Sequence, residues 1–331
     1  MLQTLLAEGR PLLADGATGT NLFEAGLTAG ESPELWNTTR ADAVRALHQS
    51  FVDAGADVIL TNSFGANRRR LALHGLEGRT RELARFAAEN ACEVAKGAVR
   101  RVVVAGSVGP TGDLLAPLGP LTEDEAVEIF VEQIEGLREG GADVVWIETM
   151  SAPDEIRAAA RAAGRVGMPY TATASFDTAG KTMMGLAPAA FADLVGGFDP
   201  NPLAFGANCG VGAADLLVSI LAMNEARPEQ ILIAKANAGI PQWHGAHIHY
   251  SGSPELMGVY AGLALDAGAR IIGGCCGTKP AHLAAMRRAL DAHRPGARPT
   301  IAAIVAALGP LVAPPAAEPA ARARRRSRGV Q

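Results

Sequence analysis

The chain has 331 residues, of which 48% are hydrophobic and 19% are charged, and its formal net charge at pH 7 is −4. This much apolar material excludes a disordered chain, and no apolar window reaches the roughly 20 residues that cross a bilayer. Residues 1–10 lack the basic stretch and apolar run of a secretory leader, so we expect a soluble, cytoplasmic protein without a membrane partner.

The charge is unevenly distributed along the chain. Residues 311–331 carry five arginines and one glutamate, which leaves the rest of the chain acidic. Because an acidic body is a poor nucleic-acid binder, we expect no nucleic-acid partner. The same tail is rich in proline and alanine, a composition that predicts a solvated, disordered end.

Eight short apolar runs recur along the chain. Several of them are nearly continuous, as is typical of parallel strands that are buried on both faces. The predicted strands are Pro11–Ala14, Asp57–Thr61, Val102–Gly106, Asp143–Ile147, Tyr170–Ser175, Leu203–Gly206, Ile231–Ala236 and Arg270–Gly273.

Segments of helical period separate these runs. The predicted helices include Arg40–Ala54, Thr80–Val99, Thr122–Gly140, Pro254–Ala267, Pro280–His293 and a short one at Thr300–Leu308. Three of the helices are followed by a glycine just before the next strand, at Gly55, Gly141 and Gly268. Since glycine tolerates the left-handed conformation that ends a helix, this repeated junction indicates an internal βα repeat.

Eight strands that alternate with helices admit two architectures, a barrel or a doubly wound sheet. The first strand is followed by Asp15-Gly-Ala-Thr-Gly-Thr20, which does not fit the glycine-rich dinucleotide fingerprint. The strand count favours an α/β fold of the (β/α)8 TIM-barrel type, with its active site at the carboxyl-terminal rim of the strands. We predict a barrel over residues 1–295, a short helical extension over 296–310 and a disordered tail over 311–331.

Three of the four cysteines lie at predicted strand ends. Cys209 closes the sixth strand, and Cys275 and Cys276 close the eighth, with only one strand between them in the barrel. Each turn is flanked by glycine, so three thiolates can meet above the rim and form an open zinc site. The alternative reading, that they are small buried hydrophobic side chains, suits the mid-helix Cys92 better.

A zinc ion with three thiolate ligands is a weaker Lewis acid than one held by histidines, and its open position suits another sulfur. A substrate thiol, with a free pKa of about 8.5, becomes a nucleophilic thiolate at neutral pH when it occupies that position. The residues therefore predict alkylation of a thiol, while hydrolysis is less suited.

Four motifs resemble those of the homocysteine S-methyltransferase family. They are Asp15-Gly-Ala-Thr-Gly-Thr20, Thr61-Asn-Ser-Phe-Gly65, Gly206-Ala-Asn-Cys-Gly210 and Gly273-Gly-Cys-Cys-Gly-Thr278, in the family's order, within a resemblance over roughly residues 12–290. The family includes betaine–homocysteine methyltransferase and the homocysteine-binding module of cobalamin-dependent methionine synthase. Its fold is an eight-fold βα barrel.

The resemblance implies roles for individual residues. Cys209, Cys275 and Cys276 would hold zinc, and the homocysteine sulfur would take the open position, which Asn237 would fill when substrate is absent. Asp15 and Glu148 match the carboxylates that hold the substrate ammonium; capping or a rim salt bridge is the alternative for both.

Turn amides form anion-binding nests, so the backbone around two strand ends is a candidate for holding the substrate carboxylate. The first turn contains Gly16 and Thr18, and the second runs from Ser107 to Gly109.

The methyl donor is less clearly specified. A quaternary ammonium donor such as betaine suits an aromatic cage, because ring faces attract cations. The candidate cage residues are Trp36, Phe64, Trp243, His244 and Tyr250. The segment around Trp36 and the loop from Trp243 to Tyr250 resemble the shorter bacterial proteins assigned to betaine use. Gly65 stands where the animal betaine enzymes carry tyrosine, as it does in the methionine-synthase module.

Betaine is therefore the leading donor, and the reaction expected is methionine formation from homocysteine. Two alternatives stay open for the donor: a sulfonium compound, or methylcobalamin brought by a corrinoid partner protein. An alternative of another class is a non-catalytic zinc- or thiol-binding subunit of a larger methyltransferase complex.

Overall fold

The computed structural model describes residues 1–239, 241–244 and 247–312, and the side chains of residues 241–249 lie outside this description. The predicted tail from residue 313 onward and the side chains of Trp243 and His244 therefore lie outside the described residues. Among the described helices, none is long and apolar enough to span a membrane.

Eight parallel strands of the described chain form a nearly closed barrel, as the strand count predicted. The barrel strands are β1 (Leu12–Leu13), β2 (Val58–Leu60), β3 (Val103–Val108), β4 (Val144–Met150), β5 (Tyr170–Ala174), β6 (Phe205–Cys209), β7 (Leu232–Ala236) and β10 (Ala269–Gly274). Two further strands, β8 (Pro241–His244) and β9 (His247–Tyr250), pair with each other outside the barrel. The barrel runs in the order β1, β2, β3, β4, β5, β6, β7 and β10. It is closed between β1 and β2, where the Asp57 N–H donates to the Leu13 carbonyl at 2.6 Å.

Helices cover the outside of the barrel, apart from α1, which packs against its inner apolar cluster. They are α1 (Leu2–Ala7), α2 (Thr18–Glu24), α3 (Trp36–Thr39), α4 (Ala41–Asp53), α5 (Arg68–Leu71), α6 (Thr80–Gly97), α7 (Glu123–Glu139), α8 (Pro153–Val166), α9 (Pro188–Gly196), α10 (Ala213–Ala226), α11 (Pro254–Asp266), α12 (Pro280–Ala292) and α13 (Ile301–Leu308). The helix–glycine–strand junctions form as predicted, with φ of 107° at Gly55, 94° at Gly141 and 102° at Gly268.

The eight predicted barrel strands are all present, but several end later than predicted. Strand β4 continues from Ile147 to Met150, and β6 extends to Cys209. The apolar run stops at the first polar side chain, such as Glu148 or Asn208, whereas the parallel hydrogen-bond ladder continues through these buried polar residues. The antiparallel hairpin of β8 and β9 and the helix α1 were not predicted.

The inside of the barrel changes from apolar to polar along the strands. Leu12, Val58 and Val144 belong to an inner apolar cluster that also contains Leu2 and Leu5 of α1. Towards the carboxyl ends of the strands, the buried side chains become polar and charged. Packing thus fills one end of the barrel and leaves the other end for chemistry.

Candidate metal centre at the barrel rim

Three cysteine sulfurs meet at the carboxyl-terminal rim. The Sγ atoms of Cys209, Cys275 and Cys276 all lie within 4.8 Å of one another, and those of Cys209 and Cys276 are 3.9 Å apart. All three cysteines are partly exposed and none forms a disulfide. The convergence expected from the positions of the cysteines along the chain is therefore present in the folded protein.

Strand register explains how distant cysteines come together. Cys209 of β6 and Gly274 of β10 both pair with Ala236 of β7, so the two cysteine turns begin at the same height. Cys209 and Gly210 then adopt left-handed φ values of 62° and 73°. That conformation is strained for a residue with a side chain, and such strain is concentrated at functional sites.

The sulfur cluster fits a soft divalent cation. Tetrahedral coordination with Zn–S bonds of about 2.3 Å places sulfurs about 3.8 Å apart, close to the separation seen here. The pKa of the Cys275 thiol is raised, first by its contact with the Cys209 sulfur and further by burial, against a contact with Cys276 that lowers it. Three thiolates at this spacing therefore need a cation to offset their mutual repulsion.

Asn237 adds a fourth polar group to this cluster. Its Nδ2 donates to the Gly210 carbonyl at 2.8 Å and approaches the Cys209 sulfur at 3.7 Å. Its Oδ1 is buried and has no hydrogen-bond partner among the described residues. A buried amide oxygen without a donor beside three thiols fits a site whose missing member is a cation.

Asp15, at the end of β1, lies deep in the barrel rather than open on the rim. The side chain is 0% exposed, and its Oδ1 accepts from the Lys235 ammonium at 2.7 Å. The other oxygen accepts from the Leu60 N–H at 2.7 Å. Burial raises the pKa of Asp15, although the neighbouring ammonium of Lys235 works in the opposite direction.

Glu148 is the second carboxylate of this region. The Ser107 hydroxyl donates to its Oε1 at 2.5 Å, and burial raises its pKa against the lowering effect of Lys235. Lys235 thus faces two carboxylates, and when all three groups are ionised the cluster keeps one unit of negative charge. A single substrate ammonium would neutralise it.

The backbone N–H groups proposed to bind the substrate carboxylate differ in whether they already donate a hydrogen bond within the protein. The Ser107 N–H donates to the Thr61 hydroxyl at 3.0 Å, and the Gly109 N–H donates to the Phe64 carbonyl at 3.0 Å. These two amides already have acceptors, so Gly16 and Thr18 become the stronger candidates.

The aromatic candidates lie in different surroundings. The Tyr250 ring packs on the backbone of Gly277, which directly follows Cys276, and the ring of Phe64 packs on the backbone of Gly109. Trp36 is only 5% exposed.

Trp36 packs in a separate apolar cluster with Leu22, Leu27 and Val44. The Arg40 guanidinium lies 4.6 Å from the centre of its ring. Among the aromatic candidates whose side chains the structure describes, Tyr250 therefore lies nearest to the cysteine turn after β10.

Two buried polar residues of the site were missed from the sequence. Lys235 interrupts an apolar strand, and a lysine there is rarely fully buried unless it is paired, which was the available signal. Asn208 stands inside the Gly206-Ala-Asn-Cys-Gly210 motif, but nothing in the sequence indicated which groups its amide would contact.

The buried pair of Lys235 and Asp15 yields a stability prediction. Lys235→Met leaves Asp15 as an uncompensated buried charge and should lower the free energy of unfolding by about 3–5 kcal/mol, measured by urea denaturation. Arg227→Met breaks an ion pair whose arginine is 38% exposed and should cost less than about 1 kcal/mol. Equal losses of unfolding free energy in the two variants would contradict the prediction that the buried pair contributes more to stability than the exposed one.

Comparison with known proteins identifies relatives along most of the chain. A family description named homocysteine S-methyltransferase matches residues 12–290. The chain is 31% identical over 295 residues to methionine synthase of Mycobacterium tuberculosis, covering 83% of this chain and 24% of that protein. It is 30% identical over 321 residues to methionine synthase of Mycobacterium leprae, covering 90% of this chain and 26% of that protein. The chain thus spans about a quarter of the length of these relatives.

Solved structures agree with this assignment. The metallated form of the homocysteine methyltransferase MmuM from Escherichia coli superimposes with a TM-score of 0.69 at 26% identity, covering 87% of this chain and 99% of that one. Its oxidized form gives a TM-score of 0.70 at 26% identity, covering 87% and 98% of the two chains. A barrel closed between β1 and β2, a rim cluster of three cysteines and these matches together show that the chain belongs to the homocysteine S-methyltransferase family.

Proposed function

We propose that this chain is a zinc-dependent S-methyltransferase that converts homocysteine to methionine. The observation that carries the proposal is the cluster of three sulfurs within 4.8 Å of one another on the rim that also presents Glu148. One end of homocysteine is a thiol and the other an amino acid. The rim therefore offers a partner for each end of the substrate.

The residues have distinct roles in this proposal. Cys209, Cys275 and Cys276 hold zinc, and Asn237 supplies an oxygen ligand when substrate is absent. Zinc, when bound, lowers the pKa of the substrate thiol so that it reacts as a thiolate at neutral pH. Glu148 accepts hydrogen bonds from the substrate ammonium.

Four further residues complete the homocysteine site. Asp15, paired with Lys235 inside the barrel, adds negative charge near the substrate ammonium. The amides of Gly16 and Thr18, with the Ser107 hydroxyl beside Glu148, face the amino-acid end of the substrate. The ammonium and the carboxylate are thereby fixed while the sulfur is aimed at the donor, and such positioning supplies much of the rate acceleration in bimolecular reactions.

The reaction is a displacement at a methyl carbon. A bond forms between the homocysteine sulfur and the methyl carbon, and the bond from that carbon to the donor heteroatom breaks, leaving its electron pair on the donor. The thiol proton leaves to solvent when homocysteine binds. No oxidant or reductant is needed, and the chain has only to align sulfur, carbon and leaving group.

Betaine is the proposed methyl donor. With the thiolates ionised, three cysteines around a divalent cation would carry one negative charge, and a bound homocysteine thiolate would add a second. Such a rim attracts a cationic donor, and the ring faces of Tyr250 and Phe64 are suited to a methylated ammonium. A sulfonium donor shares this chemistry and is the first alternative; Trp36 and Trp243 remain donor candidates from the resemblance.

A protein-borne donor is the second candidate, because the mycobacterial methionine synthases are about four times as long as the segment they share with this chain. In that case a corrinoid protein would bring methylcobalamin to the rim. We further propose a cytoplasmic protein whose barrel spans residues 1–295, with a short helical extension over 296–310.

A methyl-donor panel tests the function directly. Zinc-loaded protein is incubated with homocysteine and betaine, a methylsulfonium amino acid or methylcobalamin, and methionine is measured. We expect methionine from betaine with wild-type protein and none with Cys275→Ser, which removes one sulfur ligand. Formation only with the sulfonium compound or methylcobalamin would overturn the betaine assignment. Formation from none of them would favour the non-catalytic thiol-binding subunit.

Glu148→Gln tests the ammonium site. The variant keeps the size of the side chain and removes its charge, so the KM for homocysteine should rise by about tenfold to a hundredfold, as expected for a loss of about 1.5–3 kcal/mol in a charged hydrogen bond. Zinc content should stay at the wild-type level. The matched variant Glu128→Gln changes an exposed side chain of α7 and should leave KM unchanged. An unchanged KM in Glu148→Gln would contradict the assignment.

A further inference from the structure

The side chain of Asn208 connects four strand ends of the barrel. It is 1% exposed and lies on β6, immediately before the cysteine of that strand. Its Oδ1 accepts from the backbone N–H of Thr149 at 2.9 Å and from the Thr173 hydroxyl at 2.7 Å. Its Nδ2 lies 2.7 Å from the Thr149 Oγ1 and 3.7 Å from the Cys275 sulfur, and donates to both.

Two residues next to the Asn208 contacts have a strained backbone conformation. Thr149, which follows Glu148 on β4, has φ of 61°, and Cys209, which follows Asn208 itself, has φ of 62°. A residue with a side chain rarely adopts this conformation, and it persists only where surrounding contacts impose it. Two hydrogen bonds to Asn208 supply such contacts for Thr149.

We propose that Asn208 is a positioning residue that fixes the cysteine cluster relative to the strand end of Glu148. It contacts the sulfur of Cys275 directly and precedes Cys209 in the chain, so it constrains two of the three sulfurs. Its two hydrogen bonds to Thr149 constrain the backbone next to Glu148. One buried amide thereby sets the separation between the group that takes the thiol and the group that takes the ammonium.

This inference rests on the proposed function, because it concerns the spacing of the two ends of the homocysteine site. The N–H donated to a cysteine sulfur also stabilises its thiolate and orients it towards a metal. Partners that orient metal ligands in this way typically change metal affinity by about 10–100-fold when they are replaced.

The substitution Asn208→Asp tests the contact at constant size. The carboxylate keeps both hydrogen bonds received by Oδ1 but replaces the amide donor beside Cys275 with a negative oxygen. We expect zinc affinity, measured by competition with a chelator, to fall at least tenfold, and the thiolate-to-metal absorption band of the cobalt-substituted protein to shift. Asn90→Asp changes another buried asparagine, which contacts Asn37 and Arg45, and should leave both readouts at their wild-type values.

A second variant and a wild-type measurement keep the test decisive if Asn208→Asp does not fold. Asn208→Ser removes the long amide without adding charge and should weaken zinc in the same direction. In the cadmium-113 form of the wild type, the Asn208 side-chain amide proton should show scalar coupling to the metal through the Cys275 sulfur. Unchanged zinc affinity in a folded variant, or absence of that coupling, would overturn the proposal.

The outcome separates this inference from the proposed function. If wild-type protein binds one zinc and makes methionine while the Asn208 variants keep wild-type affinity and spectrum, only the positioning role fails. If the wild type binds no zinc at the three cysteines, the proposed function itself fails, and the Asn208 variants are then not needed to show it.

Discussion

Mutual repulsion among close negative groups is the constraint around which the barrel rim is built. Three cysteine sulfurs within 4.8 Å of one another cannot all be thiolates without a compensating cation. The backbone accepts a left-handed residue at Cys209 to bring them together, and the buried Asn237 oxygen has no hydrogen-bond donor within the described part of the chain. These features have a common explanation if a divalent cation belongs at this point.

Repulsion between close negative groups also affects the buried carboxylates of Asp15 and Glu148. Asp15 and Glu148 are both buried, and the barrel supplies one ammonium, that of Lys235, for the two of them. A fully neutralised pair would give an arriving ammonium nothing to bind, and two uncompensated carboxylates would be costly to bury. When all three groups are ionised, one cation for two anions leaves a residual negative charge, which under the proposed function the substrate ammonium would offset.

Much of this arrangement was visible in the sequence. Apolar runs and glycine junctions predicted the eight barrel strands, because parallel strands buried on both faces leave a strong local signal. The cysteine cluster was predicted because strand ends in a barrel share one rim, and the register of Cys209 and Gly274 with Ala236 confirms that reasoning.

The rest depends on side-chain contacts between distant strands, which no local pattern encodes. The pairing of Lys235 with Asp15 joins residues 220 positions apart. The amide of Asn208 reaches Thr149 and Thr173 on two other strands and Cys275 just after the end of a third. Trp36 was selected as an aromatic residue near the rim, yet it packs with leucines and valine, since an indole ring serves a core as readily as a cage.

X-ray absorption at the zinc edge of the wild-type protein tests the central claim most directly. We expect three sulfur neighbours and one oxygen or nitrogen neighbour per zinc in the absence of substrate. Homocysteine should raise the count to four sulfurs, at about 2.3 Å. Fewer than three protein sulfurs per zinc, or a sulfur count that homocysteine does not change, would contradict that claim.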